Sequence, residues 1–77
     1  MKKYYLVQID SYEDYYNATG LYKAKSEKDV RKYLEENFAS DQYIVSINEV
    51  DYENNKEEVM SKVSCEKKIY RDYIEIL

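Results

Sequence analysis

Three features of the chain predict a small α+β fold: an alternating run at Tyr4–Ile9 (YYLVQI), a capped helix-periodic stretch from Ser26 to about Ala39, and a second β-prone run at Tyr43–Ile47. Taken in order with the C-terminal part they give ββαβα. The expected architecture is a three-stranded, largely antiparallel sheet with the helices packed on one face. Seventy-seven residues make one domain, 1–77, near the lower size limit for a chain that folds on one core.

In Tyr4–Ile9, Tyr5, Val7 and Ile9 alternate with Tyr4, Leu6 and Gln8, and the first set is assigned to the core. Turn formers and acids fill Asp10–Thr19 (DSYEDYYNAT), so a long loop is expected there, followed after Gly20 by a short strand, Leu21–Ala24. Ser26 is a helix N-cap, with Asp29 three residues on. Behind it Val30, Tyr33, Leu34, Asn37 and Phe38 make one stripe of a 3.6-residue period, which is the core face.

Tyr43, Val45 and Ile47 share a face of the third strand. Continuing that phase would bury Glu49, Asp51 and Glu53, and unpaired carboxylates are costly in a core. The apolar phase passes instead to Val50 and Tyr52, so a bulge or strand end is expected near Asn48. Asn54 and Asn55 are candidate caps for a second helix with Glu57 and Glu58 in its first turn and Val59, Met60 and Val63 on its stripe. Over Ile69–Leu77 propensity favours a strand, but Ile69, Tyr70, Tyr73, Ile74 and Leu77 fit a helical period, and the period is followed.

Composition excludes most chemistry. With no His the commonest general base, the Ser-His and Cys-His pairs and the usual zinc ligand are missing, and a lone Cys65 cannot complete a zinc cage or an internal disulfide. Gly20 is the only glycine, so no phosphate-cradling loop can form. Asp51, Glu53 and Asn55 match positions 1, 3 and 5 of a calcium loop, yet Lys56 and Lys62 occupy the positions that need Gly and Glu. The expectation is a non-enzyme with no metal and no cofactor.

The single Cys fits a reducing cytoplasm, that of the host cell if the chain is phage-encoded. The apolar run behind Met1-Lys-Lys is too short for a signal peptide, and the sequon Asn17-Ala-Thr19 then carries no meaning. Lys and Arg are scattered among acids, apart from Lys67, Lys68 and Arg71, so direct nucleic-acid binding is not expected, nor is a membrane partner.

Charge is uneven. Residues 41–58 hold six acids and one Lys, a net of −5 in a chain whose total is −4. If this segment is extended, same-face residues recur about every 7 Å, and Glu49, Asp51 and Glu53 form a comb of carboxylates. Glu57 and Glu58 add to it, and the loop residues Asp10, Tyr12, Glu13, Asp14, Tyr15 and Tyr16 are candidates to extend it with aromatic contact area.

The leading reading is a protein-binding or inhibitor module that docks on a basic, nucleic-acid-binding surface of a partner. In small size, acidity and lack of catalytic residues the chain resembles, in general character, phage-encoded inhibitors of host defence such as anti-CRISPR or anti-restriction proteins. The alternative is a homodimeric scaffold or regulatory domain closing through an open sheet face that bears Tyr4, Leu6 and Ile44.

Overall fold

The computed structural model describes residues 1–12, 17–38, 41–64 and 72–77. The elements are β1 (Lys3–Ser11), β2 (Asn17–Ala24), α1 (Glu27–Asn37), β3 (Gln42–Val50), α2 (Lys56–Ser61) and β4 (Ile74–Glu75). They build a four-stranded mixed sheet in the order β3-β1-β2-β4, in which β1 is antiparallel to both neighbours and β4 runs parallel to β2. The α+β class is as expected, but the sheet has one strand more. Among the described residues no helix is long and apolar enough to cross a membrane.

Alternation along β1 sends Tyr5, Val7 and Ile9 to one face, where they are buried with Tyr22, Ala24 and the α1 residues Val30 and Leu34. The Ser26 hydroxyl caps α1 by accepting from the Asp29 N–H at 3.2 Å, and the helix stops at Asn37, whose side-chain amide donates back to the Tyr33 carbonyl at 2.7 Å. Asn37 is therefore exposed, whereas its expected stripe partners Tyr33 and Phe38 do pack on the core.

The opposite face is covered as well. Leu21, Tyr52, Val59 and Val63 are buried there, with Tyr4, Leu6, Val50, Met60 and Tyr73 packed against them. The helices thus lie on opposite faces, which corrects the one-face arrangement. Tyr4 and Leu6 are roofed by α2 and the turn before it, and Ile44 belongs to the α1 face, so the open apolar face expected from these three residues does not exist.

Ile44 reaches the α1 face because β3 bulges at Val45, three residues earlier than expected. The register passes from Gln8↔Ser46 to Ile9↔Ile44, leaving Val45 as the extra residue, 49% exposed. Ile44 and Ile47 then both face the core, while Tyr43 turns to the other side. The hairpin loop is also shorter than expected. Asn17–Thr19 are strand residues, paired as Ile9↔Ala18 and Gln8↔Thr19, and Gln8 donates to the Asn17 side chain at 3.3 Å.

The C-terminal helix is overturned where it can be seen. Ile74 and Glu75 pair with Tyr22 and Lys23, and the Ile76 N–H donates to the Lys23 carbonyl at 2.8 Å. Ile74 and Ile76 pack toward α1 while Tyr73 joins the α2 face, an alternation of period two that a helix cannot produce. The unpaired outer edge of β2 prevails over the helical period. Residues 65–71, including Cys65, Ile69 and Tyr70, lie outside the described residues.

Leu34 is 3% exposed between α1 and the sheet, so Leu34→Ala is expected to lower stability by about 2–5 kcal/mol. Chemical denaturation monitored by circular dichroism measures it, and an unchanged midpoint would contradict the packing of α1.

Candidate partner-binding surface

Glu49, Asp51, Glu53, Glu57 and Glu58 are all exposed, but they do not form a comb. The strand ends at Val50, and Asp51 opens a turn in which its carboxylate accepts from the Asn54 backbone N–H at 3.4 Å and side-chain amide at 2.8 Å. Extended spacing stops there. Glu49 lies on the α1 side of the sheet, 3.4 Å from the Lys3 ammonium, while Glu53 is turned to the other side, 3.5 Å from the Tyr4 hydroxyl.

Lysines converge on the same corner. A shallow groove of about 570 Å³ is lined by Lys2, Lys3 and Lys23 together with Glu49, Asp51 and Glu53. Its charge is mixed, and Lys2 is also paired with Glu75 at 2.7 Å. Glu57 and Glu58 stand apart in the first turn of α2, where the positive end of the helix favours them.

The second group of candidates sits at the far end of β3. Asp10 pairs in register with Tyr43, and the Tyr12 and Tyr43 rings lie 4.4 Å apart at 31°, with Tyr12 76% exposed. The Tyr12 N–H donates to the Asp41 carbonyl at 2.8 Å, and the Ser11 hydroxyl donates to the Asp41 carboxylate. Burial raises the Tyr43 pKa above its ordinary value, and the nearby Asp10 charge adds to the shift. Six residue steps of β3 separate Tyr43 from Glu49, about 20 Å at strand rise, so the two groups extend one edge rather than one patch. Glu13, Asp14, Tyr15 and Tyr16 lie outside the described residues.

Sequence reasoning missed a tyrosine cluster beside the mixed groove. The rings of Tyr4 and Tyr52 are 5.0 Å apart, Tyr4 and Tyr73 5.3 Å, and Tyr52 and Tyr73 6.0 Å. The Lys23 ammonium lies over Tyr4 and Tyr73 at 5.3 and 5.6 Å, and its contact with the Tyr4 hydroxyl raises its pKa. These residues sit on β1, β2, the turn after β3 and the residue just before β4. No spacing in the sequence joins them.

Tyr52 is 5% exposed and donates to the Asp72 carboxylate at 2.8 Å. Burial, then the bond to Asp72 and the Asp72 charge, push its pKa up to about 12. A tyrosine in the unfolded chain ionises near pH 10. The folded state therefore holds its proton more tightly, and the stability this confers is complete below about pH 10 and lost as the pH rises toward 12. Tyr52→Phe should remove this component and flatten the fall in denaturation midpoint across that range, whereas an unaltered alkaline profile would place the titration elsewhere.

Comparison with protein-family models, with curated proteins and with solved structures finds no match to this chain.

Proposed function

We propose that the protein is a small acidic binding module that docks on a Lys/Arg-rich surface of a protein partner. The observation that carries the reading is the net −5 over residues 41–58, with Glu49, Asp51, Glu53, Glu57 and Glu58 all held at the surface. Solvation alone does not call for such concentration, since the remainder of the chain stays close to neutral. A field of this kind speeds association with an oppositely charged partner. Where the basic surface normally holds nucleic acid, occupancy by this protein is inhibition, the role of an anti-defence protein.

The lysines of the mixed groove refine the proposal. Glu49 already has Lys3 beside it, an exposed pair worth little in water, so an incoming guanidinium displaces an ammonium at small cost. Asp51 keeps its turn-forming role in either state. Glu57 and Glu58 take part in no ion pair among the described residues, and they are the carboxylates most available to a partner.

The test is a variant carrying Glu49→Gln, Asp51→Asn and Glu53→Gln, titrated against a partner captured from the native host. Affinity should fall for the variant, and for the wild type it should fall steeply as salt is raised past the point where screening shortens to about 8 Å. Folding stability should move by no more than about 1 kcal/mol, because the pairs removed are exposed. Equal affinity of variant and wild type would return these acids to ordinary surface charge. Undisturbed nucleic-acid binding by the partner would remove the inhibitory role and leave protein binding intact.

A further inference from the structure

We infer that the outer edge of β3 accepts an extended, Lys- or Arg-bearing segment of the partner as an additional antiparallel strand. This rests on the proposed docking to a basic partner and specifies how that partner is held.

The two edges of the sheet are treated differently. On the β2 side, Ser64 donates its N–H to the Thr19 carbonyl at 2.9 Å and accepts the Thr19 N–H on its hydroxyl at 2.9 Å, and further along the strand the Lys23 carbonyl takes the Ile76 N–H. That edge is closed by a loop and the two residues of β4. On the other side, β3 runs for nine residues with no strand beyond it among the described residues.

Parity identifies which groups face outward. Thr19 and Lys23 turn their amides away from β1, so their partners Gln8 and Tyr4, and Leu6 between them, direct theirs toward β3. Ser46, Asn48 and Val50 then answer β1, and the Tyr12 N–H bond to the Asp41 carbonyl keeps the same parity. Ile47 and Glu49 are left with N–H and C=O directed outward, without a hydrogen-bond partner among the described residues.

The usual protection of such an edge is slight. QYIVSINEV contains no Lys, Arg or Pro and one charged residue, Glu49, and its bulge exposes Val45 rather than covering it. An edge of this kind is a template for strand addition. Charge selects the occupant. Acids flank the strand at both ends, Asp41 before it and Asp51 and Glu53 after it. A second copy in antiparallel pairing would set Asp41 against Asp51 of its neighbour at each end, whereas a segment with Lys or Arg at its ends meets a carboxylate at both.

The probe is a blocked nonapeptide, Lys-Thr-Lys-Val-Thr-Val-Lys-Thr-Lys, compared with the same peptide N-methylated at every central residue, which keeps the charge and removes the donors. The parent should bind and slow hydrogen exchange at the Ile47 and Glu49 amides, and the methylated peptide should not. Glu49→Pro deletes an outward N–H at a position where an edge strand tolerates proline, and it should weaken binding about tenfold. Glu49→Gln keeps the N–H and should cost less; a thermal melt of each variant confirms that the fold persists. Equal binding of both peptides, or Glu49→Gln as damaging as Glu49→Pro, would overturn strand addition while leaving electrostatic docking in place. Failure of the parent peptide together with an unaffected triple variant would overturn both readings. Concentration-dependent protection of Ile47 and Glu49 in the protein alone would give the edge to a second copy and overturn the inference.

Discussion

The structure depends on β1 being buried on both faces. A chain of 77 residues has too little apolar area for two independent cores, and β1 resolves this by contributing to both at once. Tyr5, Val7 and Ile9 pack under α1, and Tyr4 and Leu6 pack under α2. The two layers of side chains stand on six consecutive backbone positions. Every other element is placed by what those positions require, with a partner strand on each side and a cover on each face.

Pairing β1 on both sides moves the edge problem outward to β2 and β3. The β2 edge is closed within the chain by Ser64 and β4, and the closure ties the C-terminal residues to the α1 core through Ile74 and Ile76. The side chain of Tyr22 makes use of Gly20 on the same strand, since a β-carbon there would stand 3.0 Å from the tyrosine ring. Glycine is favoured here by a close approach rather than by backbone conformation, as its φ is not positive.

Local periodicity made much of this legible. The inward set of β1, the Ser26 cap and the burial of Val30 and Leu34 follow from patterns of two and 3.6 residues in a single segment. What could not be read depends on distant partners. Val45 becomes the bulge because Ile9 takes Ile44 as its partner, and Tyr73–Ile76 become strand-like because β2 has an open edge. Within the short run Ile69–Leu77 a helical period and a strand propensity compete, and tertiary pairing decides. The comb failed for a related reason. Alternation was carried past Val50 although Asp51 and Asn54 are turn residues, and their hydrogen bonds end the strand.

The two candidate devices, the acidic segment and the open strand, are adjacent in the chain, and their juxtaposition has a physical rationale. Backbone hydrogen bonds along an edge give affinity with little discrimination, because every extended chain carries the same donors and acceptors. Left alone, a nine-residue edge invites pairing with any exposed strand, its own copies included. Carboxylates at both ends alter that balance by repelling acidic chains and drawing basic ones, so they supply selection that the backbone cannot. Moving the same acids to the outer surface of α1 would leave the net charge of −4 unchanged and the edge unguarded. Under the proposed docking, the placement of the charge, more than its amount, is therefore what would select the partner.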